Sequence, residues 1–114
     1  MSLKERIKQR DVSKEIVTVQ GEKFLIVGKS KRSRAETFAK CKSKKTEKLN
    51  FELLEDTLLA ECVYDPESNE PLLDVSEWGN VDSAITGPLM SHIMRIVGMD
   101  KDDVNPKDSG ATET

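Results

Sequence analysis

The chain has 114 residues and a mass of 12.8 kDa, which fits one small domain and excludes two large ones. Hydrophobic residues make up 36% and charged residues 34%, against about 45–50% and 25% in an ordinary globular chain, so any core is small, and no apolar run approaches the roughly 18 residues that span a bilayer. The net charge of -3 hides an asymmetry: residues 23–48 carry ten Lys/Arg and two Asp/Glu, whereas residues 49–114 carry three and fifteen.

A basic block beside an acidic one has three readings. It is an electrostatic footprint for nucleic acid, a basis for head-to-tail association of copies, or two solvated faces of one domain. The acidic remainder repels phosphate, and only Phe24 and Phe38 interleave the basic block as stacking platforms, so nucleic acid is the least favoured. The opening MSLKERIKQR lacks a following apolar segment, so a secretory signal is not expected. Cys41 and Cys62 are too few for a disulfide scaffold and suit a reduced, cytosolic chain.

In chain order, residues 2–10 suit a short helix, with Ser2 and Glu5 as a capping box and Leu3 and Ile7 on one face. Glu15–Gln20 and Lys23–Val27 are rich in β-branched and aromatic residues. Gly21-Glu22 between them suits a type II′ turn, which predicts a hairpin over about 15–27. A lone hairpin is marginal in water, so it must lie on helices or join a neighbour's sheet. Ser33-Arg34-Ala35-Glu36 has capping-box spacing and predicts a helix to about Lys42. Residues 42–48 read as a charged connection.

The segment 49–63 predicts a helix with Asn50 as N-cap and Glu52, Glu55 and Asp56 near its positive end. Phe51, Leu54, Leu58 and Cys62 form its apolar stripe, Leu59 and Val63 widen that stripe, and Leu53 lies off it. Tyr64–Pro71 reads as a turn-rich loop. Asp74 caps a short helix through Trp78, which Gly79 stops. A last helix starts at Asn80 or Asp82. It carries Val81, Ala84, Ile85, Leu89, Ile93, Ile96 and Val97, is interrupted or kinked at Pro88, and ends at Gly98. Residues 100–114 have nothing to bury and read as a disordered tail. The fold class expected is mainly α with one N-terminal β-hairpin, an α+β domain of three to five helices over 1–99.

No catalytic or metal constellation stands out, and no cofactor is expected. His92 has no ligand-type neighbours at helical spacing, which argues against a metal. Gly28-Lys29-Ser30 resembles the end of a phosphate-binding loop, but Lys23 stands where the motif needs its first glycine. The chain therefore reads as a binding protein. Trp78 is either a core plug or a partner anchor. Met90 and Met94 are four apart on the last helix and rotated from Leu89, Ile93 and Ile96, so they are either core or an adaptable face for an apolar helix. Lys29, Arg32 and Arg34 head the basic block as candidate contacts for an anionic partner.

The second half, LLAECVYDPESNEPLLDVSEWGNVDSAITGPLMSHIMRIVGM, resembles the tail assembly chaperones of long-tailed phages. The likeness rests on Cys62-Val63-Tyr64-Asp65, Asn69-Glu70-Pro71-Leu72, Asp74-Val75-Ser76-Glu77-Trp78-Gly79, and Asp82-Ser83-Ala84-Ile85 leading to Leu89, Ile93 and Ile96. GEKFLIVGKSKRSRAETFAK is similar to the family's N-terminal portion. The likeness covers about residues 14–99, and the chain departs from it at Gly87-Pro88 and in the basic segment 40–48. It implies a non-enzymatic role in the host cytoplasm. Such proteins coat the aggregation-prone tape measure protein before tail tube subunits polymerise around it, often with a longer form made by frameshifting. The charge blocks and the open hairpin edges point to self-association, no membrane contact is expected, and nucleic acid is disfavoured. A small nucleic-acid-binding regulator and a structural head or tail component are the alternatives.

Overall fold

The computed structural model describes residues 2–98, so the expected tail and the domain end at residue 99 lie outside the described residues. The elements in order are helix α1 (Leu3–Gln9), strands β1 (Lys14–Val19) and β2 (Glu22–Val27), helices α2 (Lys31–Lys40) and α3 (Phe51–Cys62), strands β3 (Val63–Asp65) and β4 (Glu70–Pro71), and helices α4 (Val75–Trp78) and α5 (Ser83–Val97). The fold is mixed α+β. The strands make one antiparallel sheet in the order β1-β2-β3-β4, so the hairpin is half of a larger sheet than the sequence suggests.

The sheet extends because α3 ends beside β2. Val63 pairs with Ile26 and Tyr64 with Leu25, and Tyr64 and Asp65 then pair back onto Pro71 and Glu70. Part of the segment read as a loop is thus a second hairpin. The first hairpin turns at Gln20-Gly21, one residue earlier than expected. Both residues have positive φ, 52° and 79°, and Val19 pairs with Glu22 across a two-residue loop, the signature of a type I′ turn rather than II′. The primed turn matches the right-handed twist of the strands it joins.

Local capping explains most helix starts. Ser2 and Glu5 form the expected capping box, and so do Asp74 and Glu77. Asn50 accepts from the Leu53 N–H and Asp82 from the Ala84 N–H, each satisfying a donor the helix leaves open. Helix α2 is the exception. Its cap is Ser30, which accepts from Ser33 N–H at 3.1 Å, and Ser33 lies inside the helix. Helix α5 runs unbroken through Pro88 and stops at Gly98, whose φ of 82° is left-handed. The Pro88 interruption expected from sequence does not divide the helix.

One face of the sheet carries Val17, Val19, Phe24, Ile26 and Val63. They are buried against Leu54, Leu58, Leu59 and Cys62 of α3 and Leu89, Ile93 and Val97 of α5. Phe51, placed on the α3 stripe by its spacing, is 58% exposed, because it is the first residue of the helix and precedes the packed turns. Gly28 is needed where β2 leaves the sheet. A Cβ there would stand 3.1 Å from Ile96 Cγ2 and 3.2 Å from the Ser13 carbonyl oxygen. Arg95 on α5 holds Glu15 of β1 through two hydrogen bonds of 2.8 and 3.1 Å, a bidentate geometry that fixes helix on strand.

Candidate functional site

Helix α5 presents Leu89, Ile93 and Val97 to the core along one stripe. Met90 and Met94 flank that stripe on one side, and Ile85 and Ile96 flank it on the other. All four are half-buried and pack against the core. The two methionines therefore contribute to the core while keeping part of their surface open. Unbranched thioether side chains suit such a position, since they adapt to what covers them.

Trp78 is 2% exposed, so of its two readings the structure shows the core plug and not the surface anchor. The residue closes the core beneath α4, where its ring surface has apolar neighbours. Its indole N–H is buried and has no partner among the described residues. The unpaired donor is a cost set against the large apolar area that the ring buries.

The three basic candidates do not form one patch. Lys29 is withdrawn from solvent, with its side chain 8% exposed and its ammonium 2.6 Å from Glu61 Oε1, and it donates to Ser33 Oγ at 3.2 Å. It is a structural cation, not a free contact for an anionic partner. Arg34 donates from Nη1 to the Gly98 carbonyl at 3.0 Å, capping the negative end of α5. Arg32 is exposed and has no hydrogen bond or ion pair among the described residues. Beyond it Lys23, Lys31, Lys42, Lys44, Lys45 and Lys48 of the basic block are exposed, as is Lys40 beside Glu61.

Glu61 on α3 organises the buried part of the block. It takes Lys29 and Lys40 as ion-pair partners and accepts from Thr37 Oγ1 at 2.7 Å. Burial pushes its pKa up, and the hydrogen bonds from Lys29, Lys40 and Thr37 outweigh that cost, so the carboxyl sits at about 2. Thr37 is buried and passes its hydroxyl between the Ser33 carbonyl, 3.1 Å away, and Glu61. This network joins α2 to α3, and Thr37 is the one residue of α2 that is fully buried, with Phe38 packed beside it on the core. It is missed in the sequence because its members lie on separate segments and carry no spacing signal.

Two shallow clefts meet at Leu72. One, of about 750 Å³, lies between the turn of the β1–β2 hairpin and the turn of the β3–β4 hairpin. Phe24, Pro66 and Leu72 give it apolar lining, and Glu22, Lys23, Asp65 and Glu67 give it charge. The other, of about 420 Å³, joins Ala60, Leu73 and Val75 with Asp74 and Glu77. Leu72 and Val75 are each 37% exposed. Neither cleft was anticipated, because each depends on the β3–β4 hairpin.

Cys41 and Cys62 are buried free thiols, and burial pushes the Cys62 thiol up to about 11, the opposite of what a nucleophile needs. Among the described residues no three His, Cys, Asp or Glu side chains converge as a metal site, and no helix is long and apolar enough to cross a membrane. No family model, no curated protein and no solved structure matches the chain.

Proposed function

We propose that this chain is a tail assembly chaperone of a long-tailed phage. It acts without catalysis in the host cytoplasm, binds apolar helical segments of the tape measure protein, and hands that client to the tail tube subunits. The observation that carries the reading is the state of α5. Its core stripe is fully committed, yet Met90 and Met94 beside it stay half open. A helix-in-groove contact uses such apolar anchors at helical spacing.

The test is co-expression with a fragment of the candidate tape measure protein, comparing wild type with Met90→Glu/Met94→Glu. A folded double variant that neither co-purifies with the client nor keeps it soluble supports the reading, because a carboxylate buried in an apolar contact is costly. Equal rescue by the folded variant removes α5 as the client face. The alternative of a nucleic-acid-binding regulator rests on the exposed cations Arg32, Lys31, Lys42, Lys44, Lys45 and Lys48. It is weakened by the commitment of Lys29 and Lys40 to Glu61 and of Arg34 to Gly98. Duplex DNA binding tighter than about 1 µM at physiological salt, beyond ordinary non-specific affinity, would favour it instead.

A further inference from the structure

We propose that helix α1 of one copy docks in the cleft between the two hairpin turns of the next copy, so that chains associate head to tail. Helix α1 has seven residues and buries none of them. Leu3 and Ile7, four apart on one face, are 65% and 61% exposed. A helix shorter than about 12–15 residues is marginal in water without tertiary packing, so this one is built to pack on something outside its own fold.

The cleft offers what the helix lacks. Phe24, Pro66 and Leu72 supply apolar lining, and Glu22, Asp65 and Glu67 outnumber Lys23 in the charge around it. Helix α1 and its end carry Lys4, Arg6, Lys8 and Arg10 against Glu5. A basic amphipathic helix is thus complementary in charge to an acidic, partly apolar cleft. The acidic cleft could also attract the exposed lysines of residues 42–48, but that segment has no apolar side chain to fill it.

The occupant is a second copy for a geometric reason. Helix α1 enters the hairpin at Lys14, which pairs with Val27 at one end, whereas the cleft lies beside Gly21 at the other. Donor and acceptor surfaces therefore sit at opposite ends of the same hairpin. A contact between two different surfaces of identical chains repeats from copy to copy and need not close. The association requires no client and stands or falls separately from the chaperone reading.

The experiment is sedimentation velocity on the full chain across a concentration series at low and high salt, with two variants. Leu3→Glu/Ile7→Glu disables the helix, and Glu67→Lys/Leu72→Lys disables the cleft. The altered residues are exposed, so both variants keep the wild-type melting temperature and Trp78 fluorescence. Wild type gains mass with concentration, and more so at low salt. Each variant alone remains monomeric. An equal mixture forms a heterodimer and nothing larger, because it retains one intact helix and one intact cleft per pair. A wild type that stays monomeric, undiminished association in either variant, or a mixture without heterodimer overturns the proposal. So does a monomeric wild type whose residues 3–9 are protected from hydrogen exchange, since the helix then packs on its own chain.

Discussion

Replacing Glu61 with Gln tests the polar network that joins α2 to α3. The carboxyl is held at about 2 in the fold against an ordinary 4.5, and a difference of that size corresponds to at most about 3.4 kcal/mol. The Glu61 side chain is 26% exposed, so water screens the pairs, and about 1.5–2.5 kcal/mol is the expected contribution. Because the folded pKa is depressed, this stability is present above pH 4.5 and is lost as pH falls from 4.5 towards 2. Glu61→Gln removes it at neutral pH and leaves the Lys29 ammonium, 8% exposed, without its carboxylate. In a domain of this size about 2 kcal/mol lowers the melting temperature by about 8–16 °C. Urea unfolding followed by Trp78 fluorescence, repeated between pH 7 and pH 3, measures both effects. The variant should start lower and lose less between pH 4.5 and 3 than wild type. Replacing the pair together, Lys29→Met/Glu61→Leu, should recover part of the loss, because no uncompensated charge remains at those two positions. A Glu61→Gln variant within about 0.5 kcal/mol of wild type, with an unchanged pH slope, would refute the reasoning.

Other outcomes follow from packing and local conformation. Leu89→Ala and Ile93→Ala should each cost about 2–5 kcal/mol in urea titrations, since both side chains have no exposed surface. Gln20→Asn should raise stability by about 0.5–1 kcal/mol, because Gln20 holds a φ of 52° that Asn tolerates better in a type I′ turn. Cys62, pushed by burial to about 11, should react with iodoacetamide at pH 8 at least about a hundredfold more slowly than a free thiol, and should label at the ordinary rate in urea.

The legible parts of this fold are those that local chemistry decides. The caps at Ser2, Asn50, Asp74 and Asp82 and the stop at Gly98 are each set within a few residues. The two long strands carry their own β-branched pattern. Strands β3 and β4 were hidden because Val63 continues the apolar stripe of α3 and becomes extended only where Ile26 and Leu25 pair with it. The start of α2 was misplaced because Ser30 and Ser33 are both competent caps, and the choice falls to the one before the helix rather than within it. Of the candidate contacts, Met90 and Met94 are half-buried and packed against the core, between the two readings that their spacing allows. Trp78 fills the core, as its size suggests, whereas Lys29 is withdrawn by Glu61, far away in the chain, which no spacing rule reports.

The cover of the sheet has a consequence for how the protein is made. Val17, Val19, Phe24 and Ile26 leave the ribosome early, but their packing partners on α5 are the last part of the described fold to be synthesised. At ~5–20 residues per second the hairpin waits on the order of several seconds for Leu89, Ile93 and Val97. During that interval α3 is the only helix of the core available to cover its apolar face, and the part that α5 covers stays open. Gly28 marks the end of the wait, because its backbone accepts Ile96 at close range only when α5 arrives. A side chain at position 28 would make Ile96 and the Ser13 carbonyl give way by a few tenths of an ångström, a strain met at that final step.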